Sequence, residues 1–131
     1  MAPGFTFAAA LMQPFPLVRI VTTRTGSGLK LRLLSILAAP GAHITITCKG
    51  HHCPVKKQSK VAAAGKVGLA SVSFHRFEQV LPSGTTLEIR VFKPGEIGKY
   101  TSLSVHRGAV LKRVDSCLAP DGTKPMPCPS G

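Results

Sequence analysis

The chain is predicted to be all-β, an immunoglobulin-like or fibronectin-like antiparallel β-sandwich of about seven strands. Short runs of alternating apolar and polar residues recur along it, as in Leu29-Lys30-Leu31-Arg32-Leu33 and Thr86-Leu87-Glu88-Ile89-Arg90-Val91. Their period of two is the one a half-buried strand requires. Turn signals built on Gly and Pro separate these runs roughly every 8 to 12 residues over about 100 residues. No internal repeat of roughly 20 to 50 residues points to a solenoid, and a small barrel is the competing arrangement. At 131 residues the chain suits one domain with a single core.

Residues 1–13 are expected to form a flexible leader or linker, 14–115 the sandwich, and 116–131 a Pro-rich tail closed by a disulfide. Pro14-Phe15-Pro16 fixes an extended backbone before a first strand over 17–21. After the turn Thr25-Gly26-Ser27-Gly28, the second strand directs Leu29, Leu31 and Leu33 to the core. Leu34 and Ile36 continue in the opposite phase, which predicts a bulge or a change of sheet near residue 34. A helix over 29–38 is the rival reading. Ala39-Pro40-Gly41 breaks the chain, and residues 43–48 place Ile44, Ile46 and Cys48 on one inward face. Residues 54–61 return antiparallel, a turn is expected over 62–65, and Val67, Leu69, Val72 and Phe74 indicate a further strand with a phase change. Phe74, Phe77 and Leu81 then fit a single helical turn. Beyond Pro82-Ser83-Gly84 the strand 86–91 points Leu87, Ile89 and Val91 inward. Pro94-Gly95 leads to the last clear strand, 98–106, with Leu103 and Val105 inward, and residues 109–111 add one edge segment.

Cys48 and Cys53 bracket a tight loop, and Cys117 and Cys128 bracket the tail. An even count in two locally closed couples reads as a disulfide framework made in an oxidising compartment, hence an extracellular or cell-surface location. Three pairings are possible, and the hairpin geometry favours the local one, Cys48 with Cys53 and Cys117 with Cys128. By loop entropy the smaller ring is worth about 2 kcal/mol and the larger about 3 kcal/mol, so neither is essential to a core of this size. Zinc held by Cys48, His51, His52 and Cys53 is disfavoured, because six consecutive residues can hardly wrap four donors around one ion.

Lys and Arg number 17 against 5 Asp and Glu, a net charge of +12. The basic residues run from Arg19 to Lys124, which suggests a broadly positive surface facing a polyanion. Lys30, Arg32, Lys56, Lys57, Lys60 and Arg90 are expected outward as its carriers. Lys56-Lys57-Gln58-Ser59-Lys60, with Lys49, is the densest basic run and also suits the solvent face of an edge strand. With no Trp, one Tyr and six Phe, the chain lacks the stacking aromatics of single-strand nucleic-acid binders. Catalysis finds little support: Glu78, Glu88, Glu96, Asp115 and Asp121 form no close pair, and Gly26-Ser27-Gly28 leads into a strand rather than a helix. His43, His75 and His106 fall on outward or loop positions. No cofactor is implied. No apolar run reaches the ~18 residues of a membrane span. The first residues lack the basic start of a signal peptide, so a longer parent, or a signal already removed, is expected.

Pro14-Phe15-Pro16-Leu17-Val18-Arg19-Ile20, Cys48-Lys49-Gly50 with Cys53-Pro54, Leu87-Glu88-Ile89-Arg90-Val91, Pro94-Gly95-Glu96-Ile97-Gly98-Lys99-Tyr100, and Cys117-Leu118 with Pro120 resemble a family of basic β-sandwich domains in exported, often multi-domain, actinobacterial proteins. The resemblance implies fold and location and carries no activity; such domains usually have Gly or basic residues where this chain has His51 and His52. The expected function is a non-catalytic secreted or cell-surface structural or adhesive module that binds anionic cell-wall polymer or polysaccharide, with neighbouring domains of its parent as further partners. The alternatives are a small nucleic-acid-binding β-barrel and a self-assembling surface subunit that pairs through an edge strand.

Overall fold

A computed structural model describes residues 9–26, 28–63 and 68–129. Residues 1–8 of the expected leader, Ser27 of the first turn, and the turn and strand start expected at 64–67 lie outside the described residues. Among the described residues the chain forms ten strands and one short 3₁₀ turn: β1 (Leu17–Thr25), β2 (Gly28–Ala38), β3 (His43–Lys49), β4 (Lys57–Val61), β5 (Ala70–Ser73), η1 (His75–Phe77), β6 (Val80–Leu81), β7 (Thr86–Phe92), β8 (Gly98–His106), β9 (Val110–Leu118) and β10 (Pro125–Met126). All strand pairs are antiparallel. One sheet has the order β1-β2-β5, with β6 also pairing β2; the other has the order β10-β9-β8-β7-β3-β4. Both contribute to one apolar core, in which Leu31, Leu34 and Ile36 of β2 join Ile44 and Ile46 of β3 and Leu87, Ile89 and Val91 of β7. The all-β, sandwich-like expectation holds; among the described residues the strands beyond the seven expected and the edge segment are β6 and β10, each only 2 residues long.

The phase change in β2 is a bulge. Val21 pairs with Leu33 and Thr22 with Leu31, so Arg32 is the extra residue. Leu29 and Leu31 face the core before it, and Leu34, Ile36 and Ala38 after it. Leu33, expected inward, turns to the outer face as a result. The helical turn at 75–77 buries Phe77, and Phe74 before it is fully buried, its N–H donating to the Leu34 carbonyl at 3.0 Å.

Three further expectations change. Residues 9–13 are tied down: Met12 is fully buried, its N–H donates to the Ile97 carbonyl at 3.0 Å, and Ile97 donates back to Ala10 at 2.9 Å. The edge segment expected at 109–111 is a nine-residue strand, β9, paired with β8 along its whole length and crossing the boundary placed at residue 115. Lys60, expected outward, shares the inward face of β4 with Gln58, since these two pair with core-facing Ile44 and Ile46. Its ammonium donates to the Ser73 carbonyl at 2.6 Å and lies 4.9 Å from the Phe74 ring centroid. An inward charge on an edge strand is a device against edge-to-edge pairing.

The six-stranded sheet is wider than its partner, and the inner side of β9 is polar at its middle, where Arg113 and Asp115 stand between Leu111 and Cys117. Asp115 accepts from Thr101 at 2.7 Å and Arg113 at 2.8 Å, with the Lys99 ammonium at 3.5 Å. Burial pushes the Asp115 carboxyl up, but the hydrogen bonds from Arg113 and Thr101 and the Lys99 charge outweigh it and hold its pKa below the ordinary range. That compensation is what allows Lys99 to be only 9% exposed.

Candidate functional site

Strand register assembles a groove on the outer face of the six-stranded sheet. Alternation turns Thr45 and Thr47 of β3, Lys57 and Ser59 of β4, and Glu88, Arg90 and Phe92 of β7 away from the core. Cross-strand pairing sets Thr47 beside both Lys57 and Glu88, and Thr45 beside both Ser59 and Arg90. The Thr45 and Ser59 hydroxyls are 3.1 Å apart.

The tail supplies the opposite wall. The bond Cys117–Cys128 closes it, while Gly95 donates to the Pro120 carbonyl at 3.3 Å and Ala119 to that of Lys124 at 2.8 Å. Asp121 Oδ1 accepts from the Thr123 N–H at 3.0 Å and its hydroxyl at 2.8 Å, which shapes the loop over the sheet. Those two bonds hold the Asp121 pKa below the ordinary range. Gly122 lies against Phe92, where a Cβ would come within 2.9 Å of the ring, so no larger residue fits without displacing it. The resulting groove holds about 440 Å³ between Thr45, Thr47, Lys57, Arg90 and Phe92 below and the loop 121–123 above. A smaller hollow of about 190 Å³ adjoins it past Phe92, under His43, whose ring stacks on that of Phe92 at 5.4 Å.

Arg90 is held on three sides: its Nε donates to the Thr123 carbonyl at 3.3 Å, its guanidinium lies 5.1 Å from the Tyr100 ring centroid, and Glu88 is 4.0 Å away. Glu88 also accepts from the Tyr100 hydroxyl at 2.6 Å and meets the Lys49 ammonium at 3.1 Å. The hydroxyl bond chiefly, then Lys49 and Arg90, outweigh burial and keep the Glu88 carboxyl below the usual carboxylate range. Burial first, and then the same bond, push the Tyr100 phenol up to about 12. No described ion pair engages Lys57, so its charge is free in the groove.

The six residues expected to carry polyanion binding do not gather on one surface. Lys57 and Arg90 share the groove. Lys56 is exposed in the loop before β4, where its carbonyl accepts from the Cys48 N–H at 2.8 Å. Lys30 and Arg32 lie on the outer face of the other sheet, and Lys60 points inward. Tyr100 and Thr123 were absent from the expected set, and Lys49 entered only with the basic run; strand register and the long-range course of the tail bring them to the groove. Cys48–Cys53 forms as expected, with Cα atoms 5.8 Å apart, and His51 and His52 are exposed beside it. Among the described residues no group of three or more His, Cys, Asp or Glu is placed to hold a metal ion, and no helix is long and apolar enough to cross a membrane. A separate hollow of about 430 Å³ lies among the turns at Gly26, Ser83 and Gly108, but there the Arg24 guanidinium donates to the Gly108 carbonyl at 2.9 Å.

Comparison with protein-family models, with curated proteins and with solved structures gives no match to this chain.

Glu88 holds back part of the positive field of the groove. Its depressed pKa stabilises the fold above the unfolded value near 4.3, and that contribution is lost as pH falls through the lower folded value. At neutral pH the carboxylate is therefore charged and draws Lys49 and Arg90 to itself. Glu88→Gln is expected to flatten the fall in stability between about pH 5 and about pH 3, and thermal melts of the two proteins across that range check it; an unchanged profile would show that the bonds to Glu88 carry no net stabilisation.

Proposed function

We propose that this chain is a non-catalytic extracellular adhesive module, built as an immunoglobulin-like or fibronectin-like sandwich, that holds an acidic polysaccharide in the groove of its six-stranded sheet. The observation that carries this reading is the convergence of a fixed guanidinium, Arg90, and a free ammonium, Lys57, with the hydroxyls of Thr45, Thr47 and Thr123 in one groove. Guanidinium and ammonium groups bind sugar carboxylates, and neighbouring hydroxyls exchange hydrogen bonds with the sugar ring. Four disulfide-bonded cysteines support an oxidising location. The carboxylates Glu78, Glu88, Asp115 and Asp121 are each engaged by neighbours that lower their pKa, which favours binding over acid–base catalysis.

Polysaccharide is favoured over nucleic acid by the aromatic residues. The Phe92 ring is flanked by His43 and Gly122 and offers no open platform for base stacking.

The double substitution Lys57→Gln and Arg90→Gln is expected to weaken polygalacturonate binding roughly tenfold at low salt, from about 0.7 kcal/mol for each charge. The salt dependence should flatten with it. Titration calorimetry at two ionic strengths reads both. Unchanged affinity in a variant with an unchanged melting temperature rejects the groove as the binding site.

A further inference from the structure

The two sheets have four edges, and three of them are blunted. β10 has two residues, one of them Pro125, and Pro127 follows. β4 carries the inward Lys60 described above, and β5 and β6 are short. The remaining edge is β1, nine residues from Leu17 to Thr25 with no Pro or Gly among them. It pairs with β2 on one side, and among the described residues no strand pairs with its other side. A long regular edge of this kind is a template for strand addition.

The outer face along this edge has a pattern. Leu17 and Val21 are each 49% exposed and sit beside Leu37 and Leu33 of β2. Arg19 lies between them, and next after Val21 comes Thr23, whose hydroxyl accepts from Arg32 Nε at 2.6 Å. That bond leans the bulge residue Arg32 over β1. Aliphatic and cationic groups therefore alternate at every second residue, about 7 Å apart. No carboxylate pairs with Arg19 or Arg32 among the described residues, and no acidic residue precedes Glu78 in the chain.

We propose that β1 accepts an extended acidic segment of another protein as an added strand, one face of which alternates aliphatic and acidic residues at every second position. Main-chain hydrogen bonds supply affinity, the aliphatic positions cover Leu17 and Val21, and the carboxylates meet Arg19 and Arg32 about 13 Å apart. A second copy of this chain fits the edge less well. It would set Arg19 and Arg32 of both copies along one junction with no acid between them, in a protein of net charge +12. The surface belongs to the sheet opposite the polysaccharide groove, and the inference stands apart from that reading.

The test uses the full chain and two fluorescein-labelled nonapeptides, TVTETVTET and its lysine counterpart TVTKTVTKT, read by anisotropy at low ionic strength. The glutamate peptide is expected to bind at least tenfold more tightly than the lysine peptide and to shift the backbone amide resonances of residues 17–25. Arg19→Glu with Arg32→Glu should reverse the preference. Arg19→Gln, a milder change at an exposed position, should weaken the glutamate peptide about threefold without altering the melting temperature. Equal binding of the two peptides, absence of binding, displacement by polygalacturonate, or a self-associated chain that the glutamate peptide leaves intact would each overturn the proposal.

Discussion

Phe74→Ala is expected to destabilise the protein by about 3–5 kcal/mol and to lower the melting temperature by about 10–20 °C. Phe74 is fully buried at the end of the short strand β5, and its N–H is held by Leu34 of β2. Its ring also lies beneath the Lys60 ammonium that reaches across from the edge of the other sheet. One aromatic side chain thus fills the core and covers the stem of a charge that has been turned inward. Truncation to alanine leaves a cavity and withdraws the ring from Lys60 at once, which places this substitution among the most damaging in the core. Phe74→Leu, which keeps most of the volume, should cost less than half as much. Differential scanning calorimetry separates the two. A loss below about 1 kcal/mol for the alanine variant would mean that the sheets do not close on Phe74.

Opening the bond Cys117–Cys128, by Cys117→Ala with Cys128→Ser, is expected to cost about 3 kcal/mol through the regained freedom of the unfolded chain. The fold survives, because the core cluster of the two sheets does not include the tail. What the variant loses locally is the wall of the groove. Residues 119–129 add only the two-residue strand β10 and a few turn hydrogen bonds, so the loop 121–123 should leave Phe92 and release Arg90 from the Thr123 carbonyl. Hydrogen exchange should therefore rise at Ala119 and Thr123 while the amides of β3, β7 and β8 stay protected. Polygalacturonate affinity should fall together with the melting temperature. Retained affinity would show that the sheet face binds without its disulfide-held wall. The ring of Cys48–Cys53, smaller and placed at a hairpin tip, should contribute about 2 kcal/mol and leave the groove intact.

The strands that the sequence displays most openly are those buried on one face only. Residues 43–48 and 86–91 alternate in the way their burial requires and stop one residue short of β3 and β7, while 98–106 gives the bounds of β8, whose burial alternates from Thr101 onward. Of β9 only an edge segment at 109–111 was legible, for the converse reason. The narrower sheet leaves it largely uncovered, none of its first seven residues is fully buried before Cys117, and pairing with β8 rather than hydrophobic contrast makes it a strand. Lys60 misleads in the same spirit, since an inward lysine on an edge is indistinguishable in sequence from an outward one until Ile44 is seen opposite. The bulge at Arg32 was detectable because an odd insertion inverts the apolar phase of Leu34 and Ile36. The groove was only half legible. Its cations could be named, but the union of Lys49, Glu88 and Arg90 depends on register, and the covering of Phe92 by Gly122 depends on contacts between residues far apart in the chain.

Chemical-shift mapping of backbone amides during titration with short oligogalacturonates tests the groove most directly. Shifts concentrated at Thr45, Thr47, Lys57, Arg90 and Thr123, and abolished by Lys57→Gln with Arg90→Gln, are the predicted result. Shifts centred on Lys30 and Arg32, or spread evenly over every basic residue, would contradict it.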